Sequence, residues 1–345
     1  MASPDEGARP VIASETSSHR LPNGRFRNPW ADAEPPRFRD VLVWRRTRRV
    51  TPRPPPDLPS PVQPDFARPR AAPSALSATW VGHSTVLLQM GGLNVLTDPM
   101  WSERASPAQW VGPRRLTQPG VALEALPPID VVLLSHNHYD HLDAATVRAL
   151  ARRHSLARWF VPVGLASIVG RLGVRTVAEL DWWQVADAGG LRVACTPAQH
   201  ASGRTPFDRM RTLWCGWALR AGGRSIFFAG DTAYHPEFGD IARCHGPFDL
   251  CVLPIGAYEP RWFMRPVHVN PEEAVRAYAD IAAAHPSATR PIAVAVHWGA
   301  FSLTDEPMDE PPHRAAMAWR AAGLPNDDLW ILSLGETRRV PDGAG

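Results

Sequence analysis

The chain has 345 residues, of which 44% are apolar and 21% charged, a composition that can bury a sizeable core and excludes wholesale disorder. The 37 basic residues outnumber the 34 acidic ones by too little to indicate a nucleic-acid-binding protein. No segment reaches the roughly 18 apolar residues that span a bilayer, and the first residues lack the apolar run of a secretory signal. We therefore expect a cytoplasmic protein that is at most peripheral to the inner membrane.

Residues 1–75 form a leader rich in proline and arginine, which we predict to be extended or partly disordered. It holds 13 Arg and eight acidic residues, and one stretch has the sequence TPRPPPDLPSPVQPDFARPR. So much proline excludes regular helix in that stretch. Residues 41–50, VLVWRRTRRV, admit two interpretations: a short helix packed on the main domain, or a contact with anionic lipid head groups.

Residues 76–340 have the pattern of one α/β domain. Two early strands are predicted around a glycine turn, in TWVGHSTVLLQM, GG and LNVLTDP. The apolar run IDVVLLSH indicates a strand buried on both faces, and strand-like runs alternate with helical segments after it. One helix has a clear start, with Asn270 as N-cap, Pro271 in the first position and acidic residues in the first turn. We expect two mixed β-sheets flanked by helices.

A dense group of metal-binding side chains follows the buried strand directly. The segment SHNHYDHLD has the pattern H-x-H-x-D-H and supplies His136, His138, Asp140 and His141. Zinc, iron and manganese all accept imidazole and carboxylate ligands, and a strand-to-helix turn can aim neighbouring side chains at two adjacent points. We expect His136 and His138 to share one ion, and Asp140 and His141 to serve a second.

Three further candidate ligands stand at the ends of other apolar runs. His200 ends LRVACTPAQH, Asp231 ends SIFFAGD, and His297 follows the run IAVAV. Open α/β sheets place their sites at the carboxyl ends of strands. Asp231 is the one carboxylate of the three, so we expect it to bridge the two ions.

A pair of metal ions about 3.5–4 Å apart would generate hydroxide near neutral pH, and this nucleophile would attack a phosphorus or carbonyl centre. The ions would also neutralise the negative charge that develops on the substrate oxygens. No serine or cysteine nucleophile is needed, and neither a G-x-S-x-G motif nor a phosphate-binding P-loop occurs. The residues alone therefore predict a two-metal hydrolase.

The motif followed by separate His, Asp and His resembles the metallo-β-lactamase superfamily, whose fold is an αβ/βα sandwich with a dinuclear zinc site. Between residues 80 and 336, longer segments look like N-acylphosphatidylethanolamine-hydrolysing phospholipase D, among them WVGHST, LTDPMWSERASPAQWVGPRR, PIGAYEPRWFM and AVHWGAF. This resemblance implies two zinc ions and a phospholipid substrate, hydrolysed at its phosphodiester to N-acylethanolamine and phosphatidic acid. It also implies a homodimer.

The resemblance distributes the metal ligands between two ions and assigns further roles. One ion takes three histidines, His136, His138 and His200. The other takes Asp140, His141 and His297, and Asp231 is the bridge. The candidate catalytic residues are Asp140, Asp231 and His268. The side chains expected to contact substrate are Tyr139, His268, Gln109 and Trp110. From the residues alone, Tyr139 is equally well a packed aromatic, and His268 a residue that merely precedes a helix.

A few other residues carry expectations from their position. Asp98, in TDP, either orients a metal-bound histidine or caps a turn, and His83, in GHST, stands at a strand end near the site. His235 and His313 are expected at the surface.

Two other enzyme classes remain open at this stage. A lactonase for a small phosphorylated sugar lactone would use the same metal chemistry in a closed polar pocket, whereas a lipid hydrolase needs a wide apolar cleft. A metal-dependent nuclease would need a coherent basic patch, but the residues beyond 75 carry a slight net negative charge, so we expect no nucleic-acid partner. Peripheral membrane contact, in turn, is expected through the basic segment of the leader.

Overall fold

We describe the protein from a computed structural model, which defines residues 19–30, 34–47, 58, 60–205 and 207–341. The extended or disordered character expected of residues 1–18 and 48–57 concerns chain outside the described residues. Within the described ranges, no helix combines the length and the apolar composition needed to cross a membrane.

The first of two sheets contains the strands β1 (Leu76–Gly82), β2 (Thr85–Met90), β3 (Leu93–Thr97), β4 (Val131–Leu133), β5 (Arg158–Pro162), β6 (Thr176–Leu180) and β14 (Thr337–Arg339). Their spatial order is β14-β1-β2-β3-β4-β5-β6. Pairing is antiparallel from β14 to β3 and parallel from β3 to β6. The strand that precedes the H-x-H-x-D-H motif, β4, is thus in the parallel half.

The second sheet contains the strands β7 (Val185–Ala188), β8 (Leu191–Thr196), β9 (Gly216–Ala221), β10 (Arg224–Phe228), β11 (Leu250–Pro254), β12 (Ile292–Val296) and β13 (Leu329–Trp330). Their order is β13-β12-β11-β10-β9-β8-β7. Pairing is antiparallel from β7 to β10 and parallel from β10 to β13. The strands β8, β10 and β12 therefore run in the same direction and end at the same edge of the sheet.

Helices surround the two sheets in the part of the chain that the structure describes. They are α1 (Phe38–Thr47), α2 (Ala144–Arg153), α3 (Ala166–Arg171), α4 (Phe238–His245), α5 (Arg261–Met264), α6 (Pro271–Ala283) and α7 (Glu310–Ala321). From α2, Val147 and Leu150 pack on the first sheet, and from α6 and α7, Tyr278 and Trp319 pack on the second. A further core joins the inner faces of the two sheets. This αβ/βα sandwich confirms the predicted fold class.

The start of α6 forms as its sequence predicts. The Asn270 side chain accepts a hydrogen bond from the N–H of Glu273 at 2.9 Å, and the Glu273 carboxylate accepts one from the N–H of Asn270 at 3.1 Å. Pro271 occupies the first helical position, where its missing N–H costs nothing.

The N-terminal hairpin differs from the prediction in its number of strands. Gly91 and Gly92 form the expected turn between β2 and β3, both with positive φ. The segment predicted as one strand, however, divides into β1 and β2 at His83, whose φ is 53°. The His83 carbonyl accepts hydrogen bonds from the Trp80 indole at 2.9 Å and from the N–H of His297 at 3.1 Å. Contacts with a distant strand end thus stabilise the turn that follows Gly82.

The described leader residues 19–30 lie against the sandwich. Phe26 is only 4% exposed, belongs to the core between the sheets, and donates its N–H to the carbonyl of Met210 at 2.8 Å. Trp30 stacks on Trp182 with ring centres 5.5 Å apart and donates its indole N–H to Glu237 at 3.1 Å. These contacts anchor this part of the leader to both the core and the surface of the domain.

Helix α1 fits the first of the two interpretations given for the basic segment. Val41 and Trp44 pack against a small apolar cluster formed largely by α5 and the chain after it. The Trp44 ring stacks on Phe263 at 5.4 Å, and its indole donates to Asp305 at 2.9 Å. Residues 41–47 are therefore part of a packed helix, and residues 48–50 lie outside the described chain.

Replacing Phe26 with alanine should lower the free energy of unfolding by about 3 kcal/mol, because a buried aromatic side chain is lost and a cavity remains. Urea denaturation measures the difference. Leu156→Ala is the matched control, since Leu156 is 93% exposed and its loss should change stability by less than about 0.5 kcal/mol. Equal stabilities of the two variants would contradict an anchoring role for residues 19–30.

Candidate metal centre

Four strand ends from the two sheets meet at one edge of the sandwich. The motif segment 135–142 connects β4 to α2, whose N-cap is Asp143. The other three ends are those of β8, β10 and β12, which run in the same direction through the second sheet. All seven predicted ligands come together at this edge, and all are buried or half-buried: His136, His138, Asp140, His141, His200, Asp231 and His297.

Three histidines form the first group of candidate ligands. The Nε2 atom of His136 lies 2.9 Å from Nδ1 of His138, and Nε2 of His200 lies 3.2 Å from the same atom. Three imidazole nitrogens this close together can all reach a single ion. The grouping is the one that the family resemblance implies.

The carboxylate of Asp231 joins this group to the second one. Its Oδ2 atom lies 3.0 Å from Nε2 of both His141 and His297, and 3.9 Å and 3.8 Å from Nε2 of His136 and His200. One carboxylate oxygen therefore faces imidazole nitrogens of both groups. Asp140 completes the second group, with Oδ2 3.3 Å from Nε2 of His141 and 3.5 Å from that of His297.

Hydrogen bonds behind the histidines turn their free nitrogens towards the cluster. Nδ1 of His200 donates to the carbonyl of Val267 at 2.8 Å, and Nδ1 of His141 donates to the Asp98 carboxylate at 2.7 Å. Because the outer nitrogen of His200 carries the proton, Nε2 of this neutral ring presents a lone pair to the cluster. Burial by itself would lower the pKa of His141, but Asp231 and Asp140 raise that pKa well above its ordinary value, so a metal ion would displace a proton from its Nε2. His136 is held in the same sense, through the Ser135 hydroxyl at 2.9 Å.

Several polar atoms at the centre of the cluster have no hydrogen-bond partner among the described residues. They include Nε2 of His141, Nε2 of His297 and Oδ1 of Asp231, all buried. The two nitrogens lie 3.0 Å from Asp231 Oδ2, but outside hydrogen-bond geometry. An unsatisfied buried polar group costs about 1–3 kcal/mol, and metal coordination would remove that cost. The donor set and its orphaned atoms fit transition-metal ions.

The charges in the cluster favour a cation. Burial by itself would raise the pKa of Asp231, but His141 and His297 hold that pKa well below its ordinary value. Burial would likewise lower the pKa of His297, yet Asp231 and Asp140 raise it to about 9. The two buried carboxylates stay ionised, and their field would also attract a metal ion.

Asp98 and His83 support the second group from behind. Asp98 accepts hydrogen bonds from His141 and from both the N–H and the hydroxyl of Ser135, at 2.6–2.7 Å. Of its two proposed roles, orientation of a histidine is the one that the contacts favour. His83 is 1% exposed, and its Nε2 lies 3.0 Å from Asp140 Oδ2. His83, Asp98 and His297 all have positive φ, and such strain often accompanies functional sites.

His268 and Tyr139, both predicted to contact substrate, differ from each other in their position relative to the cluster. The His268 ring lies 4.8 Å from that of His200 and 5.3 Å from that of His297, and its Nδ1 is buried without a partner. The Tyr139 hydroxyl instead donates to the carbonyl of Arg204 at 3.1 Å, and the Arg204 guanidinium packs 3.8 Å from the tyrosine ring centre. His268 therefore faces the cluster, while Tyr139 is packed against a loop.

The described contacts of Gln109 and Trp110 are with residues outside the cluster. Gln109 is exposed and hydrogen-bonds to the backbone of Arg104, and Trp110 is 83% exposed. Among the described residues, no hydrogen bond or ring contact joins either side chain to the histidines.

The prediction that His235 lies at the surface was wrong. His235 is 2% exposed because its ring stacks between Trp30 and Phe238. His313 is exposed, as expected.

Arg204 is a residue of the site that sequence reasoning missed. Its Nη1 donates to the carbonyls of Asn137 and Leu142, at 2.8 Å and 2.7 Å, and so braces both ends of the motif segment. The partners are 67 and 62 residues away in sequence, and the surrounding SGRTPFDRM contains no pattern that would mark the residue.

The geometry agrees with a comparison against protein families. The description "Beta-lactamase superfamily domain" belongs to a family model that matches residues 93–298, more than half of the chain. The chain belongs to the metallo-β-lactamase superfamily. The αβ/βα sandwich is the fold of that superfamily.

Individual relatives refine this membership. An uncharacterized protein of Mycobacterium tuberculosis is 46% identical over 251 residues, 72% of this chain and 65% of that protein. N-acyl-phosphatidylethanolamine-hydrolyzing phospholipase D 1 of Caenorhabditis elegans is 40% identical over 240 residues, 67% of this chain and 65% of that protein. The chain therefore spans about 65% of the length of these two relatives.

A third relative is matched over nearly its whole length. It is a metal-dependent hydrolase of Opitutus terrae, 31% identical over 267 residues, which are 76% of this chain and 99% of that protein. The chain accordingly groups with the metal-dependent hydrolases of the metallo-β-lactamase superfamily. Its His/Asp cluster is able to hold metal ions.

Asp98→Asn should weaken zinc binding by about 10- to 100-fold, because His141 loses the carboxylate that orients it and holds its Nδ1 proton. Competition with a zinc chelator measures the affinity, and circular dichroism checks the fold. Asp143→Asn is the matched control: Asp143 is also buried next to the motif, but it bonds only the N–H groups of Ser102 and Ala145 and the Thr146 hydroxyl. Wild-type affinity in a folded Asp98→Asn protein would contradict the orienting role.

Proposed function

We propose that this protein is a zinc-dependent phosphodiesterase of the phospholipase D type. It would hydrolyse N-acylphosphatidylethanolamine, or a related glycerophosphodiester, to N-acylethanolamine and phosphatidic acid. The observation that carries this proposal is the meeting of two ligand groups at one carboxylate oxygen of Asp231. The 40% identity to the nematode phospholipase D supports the choice of substrate.

The two groups of ligands would each hold one zinc ion. His136, His138 and His200 would hold the first, because their free nitrogens converge within 3.2 Å of His138 Nδ1. The second would be held by Asp140, His141 and His297, and Asp231 would be shared. Two such ions, when bound, lower the pKa of water and neutralise charge on phosphate oxygens.

His268 is the side chain best placed to contact the phosphate of the substrate. Its ring adjoins His200 and His297, and its buried Nδ1 is free to form a hydrogen bond with a phosphate oxygen. Burial holds the pKa of His268 well below its ordinary value, so the ring is neutral. One ring nitrogen then carries a proton and can donate a hydrogen bond, and the other can only accept one. Contact between Tyr139 and a phosphate would require its hydroxyl to leave the Arg204 carbonyl.

Purified, zinc-loaded protein should release N-acylethanolamine from N-acylphosphatidylethanolamine vesicles, and chelation should abolish the release until zinc is restored. Asp231→Asn should lower kcat/KM by at least about 100-fold, because the shared ligand loses its charge. Asp187→Asn, at an exposed position of β7, should leave the rate unchanged. Mass spectrometry of the products measures both rates.

The choice of substrates makes this assay decisive. A phosphorylated sugar lactone is included beside several N-acyl chain lengths and a simple phosphodiester. Hydrolysis of the lactone alone would replace the lipid proposal with a lactonase. A failure of zinc-loaded protein on every N-acyl lipid would also contradict the lipid proposal.

We also propose that α1 contacts the membrane that carries the substrate. Its inner side is occupied by Val41 and Trp44, while Leu42 and Val43 are 39% and 50% exposed. Arg45 and Arg46, at the end of the helix, are exposed as well. Exposed apolar side chains beside arginines are suited to the interface of an anionic bilayer.

Val43→Glu should reduce co-sedimentation of the protein with phosphatidylglycerol vesicles by several-fold, because it places a negative charge against an anionic surface. Arg152→Gln, at an exposed position of α2, removes one positive charge elsewhere and should have no effect. Binding should also fall as salt is raised from 0.1 to 0.5 M. Equal sedimentation of wild type and Val43→Glu would exclude α1 as the contact.

A further inference from the structure

A basic and aromatic cleft lies beside the metal centre, between the chain after β10 and the helices α5 and α6. Its volume is about 530 Å³, within the usual range for small-molecule sites. None of the seven candidate metal ligands lines it. We propose that this cleft binds an organic oxyanion, a phosphate or carboxylate that carries a flat aromatic group.

Arginine side chains supply the positive charge of the cleft. Arg261 is committed to the fold, since it donates to Glu273 at 2.7 Å and to the carbonyl of His268 at 3.0 Å. The Arg265 side chain is exposed and forms no hydrogen bond or ion pair with any described residue. The Arg276 guanidinium lies 4.0 Å from the ring centre of Tyr234. Because Glu273 is the one acid in the lining, the cleft has a net charge of +2.

One residue of the lining carries a buried donor that has no acceptor among the described residues. The His235 ring lines the cleft, and its Nδ1 accepts the N–H of Glu237 at 3.3 Å. In the neutral ring, Nε2 must then carry the proton, and this atom is buried with no partner. Burial lowers the pKa of His235 to about 3, which keeps the ring neutral. An oxygen of the ligand would give this N–H the acceptor that the described protein does not provide.

Aromatic rings form the apolar part of the lining. Trp262 is 56% exposed, and its ring is available to a flat ligand. Trp30 reaches the cleft from the leader, where it stacks on His235 with ring centres 4.8 Å apart. Flat groups pack well on indole, and arginine side chains add charge-assisted hydrogen bonds to an oxyanion. The two kinds of lining together match a ligand with both an aromatic and an anionic part.

The cleft and the metal centre share a wall but are separate sites. Gln199 lines the cleft and donates to the carbonyl of Pro266 at 3.1 Å. His200 follows Gln199 and Val267 follows Pro266, and Nδ1 of His200 donates a hydrogen bond to the Val267 carbonyl at the metal centre. Binding in the cleft therefore does not depend on the proposed function, but a bound ligand would touch the segment that orients His200.

Isothermal titration of the full-length, zinc-loaded protein tests the proposal with three probes that share one ring: 2-naphthyl phosphate, 2-naphthoate and 2-naphthylmethanol. We expect one anionic probe to bind per chain, and the neutral alcohol to bind at least about tenfold more weakly. Comparison of the phosphate with the carboxylate shows which oxyanion the cleft prefers.

Four variants locate the binding. Arg265→Gln and Arg276→Gln should each weaken the anionic probes by about tenfold, and Arg152→Gln, on α2, should not. Unchanged affinity in both cleft variants, or equal binding of the neutral alcohol, would overturn the proposal. An affinity lost in Asp231→Asn but kept in Arg265→Gln would assign the anion to the metal centre instead, which also overturns it.

Discussion

The meeting of one buried carboxylate with four histidines is the interaction on which this structure depends. Asp231 is 3% exposed, one of its oxygens faces four imidazole nitrogens, and the other has no partner among the described residues. An ionised group is costly to bury unless it is paired. The surrounding imidazoles supply nitrogen ligands and the carboxylates supply negative charge, and this donor set suits a transition-metal ion.

The fold supplies the precision that this cluster needs. Strand ends from both sheets deliver the ligands, and a second layer of hydrogen bonds from Asp98, Ser135 and the Val267 carbonyl sets the direction of the rings of His141, His136 and His200. The left-handed backbone at His83 and His297 is strained, and the hydrogen bond between these two residues holds both in place. Local strain at the site is thus offset by packing and hydrogen bonds around it.

The N-terminal leader contributes to two surfaces of the domain outside the metal centre. The leader brings Trp30 to the cleft beside the His200 wall, and α1 presents apolar and basic side chains away from its packed side. Both features come from a segment that composition alone describes only as rich in proline and arginine. The leader contributes these surfaces because Phe26, Trp30 and Trp44 pack against the domain.

The sequence by itself determined the fold class, the N-cap of α6 and the set of residues that meet at the cluster. These are local signals: apolar runs of strand length, Asn270 before Pro271, and ligands placed at strand ends. Only the tertiary structure decided the turn at His83, the burial of His235 and the brace from Arg204, because each depends on partners far away in the chain. The direction of each imidazole was decided in the same way, since a ring nitrogen takes its role from the group it faces.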